Sequence, residues 1–161
     1  MGILHKLFGA PEWTLNAPVA GETVPVTEVP DPTFSGEMLG KGVAIRPAEN
    51  VIVSPCDGVV ELMFDTGHGV SIKSEWGAEI LIHVGLDTVN LKGKYFTIRA
   101  KTGDTVRAGQ PLIEFDRAAI AAAGYDTITP IVICNSSDFG TIRAETGKTV
   151  AAGDPVLHLA H

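Results

Sequence analysis

Apolar and polar positions along this chain fall into short runs, of the length of β-strands rather than helices. The runs lie at residues 42–45, 51–53, 58–64, 70–73, 79–84, 95–98, 111–115, 128–134 and 156–159. Glycine, asparagine or aspartate punctuates nearly every gap, which predicts tight turns. The fold expected is all-β, a compact antiparallel β sandwich or barrel. Ahead of these runs, residues 15–32 (LNAPVAGETVPVTEVPDP) alternate with several prolines. Internal strands tolerate proline poorly, so this stretch reads as an edge strand or extended arm. One helix is persuasive, over 116–123, where Asp116 can cap and Gly124 can terminate.

An internal echo adds to this pattern. Residues 101–112 read KTGDTVRAGQPL and residues 145–156 read ETGKTVAAGDPV, sharing TG, TV, AG and P at matching places. Each copy predicts a turn, a strand, an Ala-Gly-x-Pro turn and another strand. Two such β units facing one another would close a pseudo-symmetric sheet structure, with a scaffold role.

Composition sets the outer bounds. At 161 residues and 45% hydrophobic, the chain is expected to be one globular domain over 17–161, preceded by a flexible segment over 1–16. No run approaches the roughly 18 apolar residues of a membrane-crossing helix, and no signal-peptide pattern opens the chain. A cytoplasmic location is therefore expected. Ile3, Leu4, Leu7 and Phe8 lie at helical spacing. That stripe fits a frayed terminus or a short amphipathic turn, the latter making weak contact with the inner face of the plasma membrane through residues 1–9. Lys6 stands where a myristoylation motif needs Ser or Thr. Cys56 and Cys134 form no CxxC pair and read as reduced, buried thiols. A net charge of −7 argues against non-specific nucleic-acid binding and suits small basic protein partners.

Candidate chemistry concentrates in two histidines. His83 sits in the apolar run AEILIHV, and His68 follows Thr66 and Gly67 just before the run GVSIKS. The two runs form a hairpin about Glu75-Trp76-Gly77. A four-residue loop over 74–77 would place the histidines directly opposite, and a two-residue loop over 76–77 would make them diagonal neighbours on one face. Only an odd loop would separate their faces. Thr66 shares the face of His68 if the strand extends back, and its hydroxyl can fix the imidazole tautomer. Leu81 and Phe64 flank the pair, giving an apolar surface with two polar heads. Two adjacent imidazoles on a rigid sheet can accept, hold and pass on a phosphoryl group.

The run Gly77-x-x-Ile80-Leu81-Ile82-His83-Val84-Gly85-Leu86-x-Thr88-Val89 resembles the active-site signature of the glucose-family (type 1) enzyme IIA domain. That domain belongs to the bacterial phosphoenolpyruvate-dependent sugar phosphotransferase system. Pro30-Asp31-x-x-Phe34, Ser54-Pro55-x-Asp57-Gly58, Thr66-Gly67-His68, Glu114-Phe115-Asp116 and Thr129-Pro130-x-Val132 extend the likeness over about residues 18–159. The resemblance implies that His83 takes phosphate from phosphohistidine on the carrier protein HPr and gives it to a cysteine of a IIB domain. His68 would assist transfer and Thr66 would orient His68. Phe34, Phe64, Leu81 and Val89 would dock partners, and Asp31 and Asp87 would meet a basic rim on HPr. In some relatives the two histidines bind zinc; here His68 and His83 would need a partner or water to complete such a site. No cofactor is obligatory. IIB or IIBC sugar permeases and regulatory target proteins are further implied partners, and the start at Met1 suggests a free-standing IIA.

Three other readings compete. Ser54-Pro55-Cys56-Asp57-Gly58-Val59 and Val106-x-Ala108-Gly109-Gln110-Pro111-Leu112 suggest a biotinyl or lipoyl carrier, yet Lys41 and Lys73 lack the Met-Lys-Met or Asp-Lys-Ala setting. A LytM-like zinc peptidase needs His-x-His, whereas Val84-Gly85 follows His83. A non-catalytic regulatory IIA-like domain would not need both His68 and His83.

Overall fold

The computed structural model describes residues 11–161. Fourteen strands carry the chain: β1 (Glu12–Asn16), β2 (Gly21–Pro25), β3 (Lys41–Pro47), β4 (Val51–Val53), β5 (Gly58–Met63), β6 (Gly69–Ser74) and β7 (Glu79–His83), followed by β8 (Phe96–Ile98), β9 (Thr105–Val106), β10 (Pro111–Phe115), β11 (Thr129–Ile133), β12 (Thr141–Ala144), β13 (Thr149–Val150) and β14 (Pro155–Ala160). Eight of them form one antiparallel sheet in the order β13-β2-β3-β11-β7-β6-β5-β9. Two three-stranded sheets, β4-β10-β8 and β1-β14-β12, complete the architecture. The expected all-β antiparallel fold is what the chain adopts, with two short helices, Pro32–Ser35 and Arg117–Ala122. The second is capped by Asp116, whose carboxylate accepts the Ala119 N–H at 3.0 Å, and Gly124 follows it at φ +95°.

The echoed units explain how the sheets meet. β9 and β13 are the two-residue edges of the large sheet, pairing as Val106 with Gly58 and Val150 with Gly21. Edges this short expose few unpaired backbone groups. After an Ala-Gly-x-Pro turn each unit crosses over: β10 becomes the centre of one small sheet and β14 the centre of the other. The likeness reaches further upstream than residues 101 and 145, to the identical Thr-Ile-Arg-Ala at 97–100 and 141–144.

Two apolar clusters result. The larger lies between the sheets, where Val43, Ile45, Val70, Ile72, Ile80, Ile82, Ile131 and Ile133 are fully buried with Ile52, Leu112, Ile113, Leu157 and Leu159. The smaller lies on the opposite face of the large sheet, where Phe34, Val26, Val29, Ala44, Leu81, Leu86, Ile128 and Val132 pack together. The proline-rich arm divides into β1 and β2. β1 is an edge strand against β14, so the part of the 1–16 segment that is described belongs to the folded unit. Its Trp13 stacks on Trp76 of the β6–β7 turn, with ring centroids 5.2 Å apart. The apolar stripe at Ile3, Leu4, Leu7 and Phe8 lies outside the described residues. Among those described, no helix is long and apolar enough to cross a membrane. Cys56 is buried, as expected, whereas Cys134 is exposed just beyond the end of β11, which corrects the reading of both as buried; both are free thiols.

Ile131 is fully buried and lies in register between Val43 of β3 and Ile82 of β7. Ile131→Ala should lower the unfolding free energy by about 2–5 kcal/mol, read from a urea titration.

Candidate active site

His83 ends β7 and lies opposite Gly69 of β6. The hairpin loop holds three residues, Glu75–Gly77, closed by the Ser74 N–H donating to the Ala78 carbonyl at 2.9 Å. This is the odd loop that strict alternation would take to part the histidines. They meet nonetheless, with ring centroids 5.2 Å apart and planes at 80°. The reason is local: β6 begins only at Gly69, and Gly67 takes φ +73°. His68 therefore sits in a turn, free of the pleat, and its ring swings to the face of His83. Its backbone stays tied to the neighbouring strand, its carbonyl accepting the Val84 N–H at 2.7 Å.

β5 makes a second adjustment. Its pairing with β6 slips between Val60 and Leu62, a bulge at Glu61. Beyond the bulge, Met63 faces the main core and Phe64 joins the small cluster. Bulges of this kind re-aim side chains beside functional sites. The Phe64 ring then lies 5.0 Å from that of His68. A Cβ on Gly69 would stand 3.0 Å from the Phe64 ring, so a side chain facing His83 here would press that ring out of its place. From the other side Phe34, held by the Asp31-capped helix, places its ring 5.3 Å from His83.

Both rings are held by one nitrogen. The Nδ1 of His83 lies 2.7 Å from the Gly85 carbonyl oxygen. A carbonyl only accepts, so Nδ1 carries the proton and Nε2 keeps its lone pair. Burial lowers the His83 pKa, opposed by the Gly85 bond and by the charges of Asp31 and Asp87. The Nδ1 of His68 is hydrogen-bonded to the Thr66 hydroxyl. His68 is 6% exposed, and burial together with His83 lowers its pKa to about 4. Both imidazoles are thus neutral at pH 7: one with a fixed tautomer and a free Nε2 lone pair able to act as a nucleophile, the other a polar group held beside it.

The remaining expected residues gather here as well. Phe34, Phe64 and Leu81 are members of one apolar cluster. Val89, 52% exposed, lies in the single turn Thr88–Leu91 that follows the His83 loop. Asp31 and Asp87 line an open cleft of about 550 Å³ with Pro30, Leu86, Tyr125 and Asp126. Asp126 and Tyr125 were not foreseen, because a loop far along the chain delivers them. Leu62, 50% exposed beside His68, was also missed, since its exposure depends on the bulge. The zinc expectation is overturned: among the described residues, no three His, Cys, Asp or Glu side chains are grouped to hold a metal ion. The carboxylates nearest the histidines modulate His83 by charge but supply no third ligand.

An antiparallel β domain presenting an imidazole with a free Nε2 beside a second imidazole defines the class of site, and comparison with known proteins defines the family. The family model for the phosphoenolpyruvate-dependent sugar phosphotransferase system, EIIA 1, matches residues 13–139, and the chain belongs to that family. It is 49% identical over 127 residues to the glucose-specific EIIA component of Oceanobacillus iheyensis, covering 79% of this chain and 77% of that protein. It is 52% identical over 126 residues to the β-glucoside-specific EIIBCA component of Dickeya chrysanthemi, covering 78% of this chain but 20% of that protein. The chain thus spans about a fifth of the length of this EIIBCA relative. Among solved structures, the glucose permease IIA of Mycoplasma capricolum superposes with a TM-score of 0.87 at 33% identity, over 94% of this chain and 97% of that one.

A histidine whose pKa falls from 6.5 unfolded to about 4 folded binds fewer protons in the native state between those values. Its contribution to stability is therefore present above pH 6.5 and lost as the pH falls towards about 4. Chemical denaturation across this window should show stability declining with acidification, and His68→Gln should flatten the decline.

Proposed function

We propose that this protein carries phosphoryl groups in sugar uptake, with the Nε2 of His83 as the acceptor atom. The observation that carries the reading is the bond from His83 Nδ1 to the Gly85 carbonyl, because it leaves Nε2 as the free nucleophile at neutral pH. The donor is a phosphohistidine on a small basic carrier, HPr. As the N–P bond to Nε2 forms, the donor's N–P bond breaks and its imidazole leaves with the electron pair. In the onward step a thiolate of a IIB cysteine attacks the phosphorus, and His83 departs neutral. Such transfers run through loose transition states, so positioning and charge stabilisation carry most of the catalysis.

His68 supplies part of that stabilisation. With the Thr66 hydroxyl donating to Nδ1, the single proton of neutral His68 sits on Nε2 and can be given to a phosphoryl oxygen. Phe34, Phe64, Leu81 and Val89 form the apolar surround on which a partner closes and excludes water, which protects phosphohistidine from hydrolysis. Asp31 and Asp87 offer charge to a basic rim on the donor. The EIIBCA relatives, whose names join EIIB and EIIC to EIIA in one chain, support a IIB or IIBC permease as the receiver. Both steps take place in the cytoplasm. A purely regulatory IIA-like domain is the second reading; two neutral imidazoles in contact, one of them tautomer-fixed, favour the carrier.

Incubation with phosphoenolpyruvate, enzyme I and HPr should add one acid-labile phosphoryl group to the wild-type protein by intact mass, and none to His83→Ala. Absence of the adduct on wild type, with an active donor, would leave the regulatory reading. His68→Gln should still be able to take phosphate on His83 but slow transfer by about 10²–10³, the effect of removing one donor aimed at developing charge. Stopped-flow transfer rates measure that loss. Because burial lowers the His83 pKa, the uptake rate should stay level through the ordinary histidine range near pH 6.5 and fall only at more acidic pH.

A further inference from the structure

The Gly85 carbonyl selects the reacting nitrogen, and the short loop that aims it is itself held from beneath. Thr88 is 0% exposed, although it lies in a surface turn between exposed Asp87 and Val89. Its hydroxyl donates to the Val84 carbonyl at 2.6 Å, four residues back along the chain. That carbonyl belongs to the peptide group joining Val84 to Gly85. The next peptide group, Gly85–Leu86, presents its carbonyl to His83 Nδ1, and its N–H donates to the Asp126 carbonyl at 2.9 Å. Gly85 has φ +78° and Asp87 φ +58°, so the loop holds a conformation that local preference alone does not enforce. A Cβ on Gly85 would stand 2.6 Å from the Thr88 methyl and 2.8 Å from the Asp126 carbonyl oxygen, so both neighbours are packed hard against the aiming residue.

We infer that Thr88 is a positioning residue for phosphoryl transfer: its buried hydroxyl locks the Val84–Gly85 peptide and thereby keeps the Gly85 carbonyl on Nδ1 of His83. Without that bond the Val84–Gly85 peptide can turn at the glycine, and only the Leu86 N–H bond to Asp126 still holds the next peptide. In part of the molecules the carbonyl therefore leaves the ring and the imidazole proton redistributes between its nitrogens. Some molecules then present a protonated Nε2, which cannot attack phosphorus. Thr88 touches neither substrate nor ring and acts only through the loop. The valine analogue fills the same volume without the donor.

The inference rests on the carrier reading for its kinetic consequence but not for its structural one. Long-range 15N–1H spectra of the histidine rings in the full-length, unphosphorylated chain report which nitrogen of His83 is protonated. Wild type and Thr88→Ser, which keeps the hydroxyl, should carry the proton on Nδ1. Thr88→Val should show mixed tautomers and take up phosphate from HPr about tenfold more slowly, the effect of one lost neutral hydrogen bond. Thr88→Ser should restore the rate. Thr88→Ala, lacking the donor and adding no bulk, serves if Thr88→Val does not fold. A folded donorless variant with its proton wholly on Nδ1, or a Thr88→Ser protein as impaired as Thr88→Val, would overturn the inference. Failure of wild type to accept phosphate would remove the carrier reading while the ring spectra still decide the role of Thr88.

Discussion

Two imidazoles in contact beneath apolar side chains cannot both be charged, and here burial makes both neutral. Much of the site follows from that constraint. A neutral ring has one proton, so its chemistry depends on which nitrogen holds it, and each ring needs a partner to settle the matter. His83 is settled by a backbone carbonyl, which only accepts, and His68 is held by a hydroxyl, which can pair with either tautomer. Phe34 and Phe64, whose rings lie against His83 and His68, supply part of the apolar surround that disfavours the charged forms. Neutral rings, and the need of each for a hydrogen-bond partner, thus share one physical origin.

Placing the rings together required departures from regular sheet geometry. β7 is a central strand with paired neighbours on both sides, so the position of His83 is rigid. The irregularity needed to fit a second ring lies on the partner side. A bulge in β5 turns Phe64 towards the site, and Gly67 lets His68 leave the pleat before β6 begins. Gly69 leaves empty the space that a side chain would have contested. Side-chain period in a strand is two, so a regular register with this hairpin loop would have sent His68 towards the main core with Val70. The local irregularities are what make the site.

The strands were legible because each is a short apolar run between turn formers, and nine expected runs coincide with observed strands to within a residue or two. The repeated TG-x-TV-x-AG-x-P units were legible too, and they pin opposite edges of the large sheet. The juxtaposition of His68 and His83 was anticipated through an even-numbered hairpin loop; the loop is odd, and the outcome comes from the glycines instead. Bulging at Glu61 left no mark on the sequence, because Leu62 and Phe64 satisfy alternation equally well without it. Non-local facts were hidden for a simpler reason. Asp126 reaches the cleft, and Cys134 reaches the surface, only through the packing of β11 against β3 and β7. The zinc expectation came from resemblance and failed on the donor count, since no third ligand side chain joins the pair.

With Nδ1 of His83 given to the Gly85 carbonyl, the fold leaves one ring nitrogen of that histidine for the phosphoryl chemistry proposed above. The most direct measurement is the 31P–15N coupling in protein phosphorylated after uniform 15N labelling of its histidines. The account predicts a single phosphorus resonance coupled to Nε2 of His83, with Nδ1 of that ring still protonated. Phosphorus bonded to Nδ1 of His83, or to a nitrogen of His68, would contradict it.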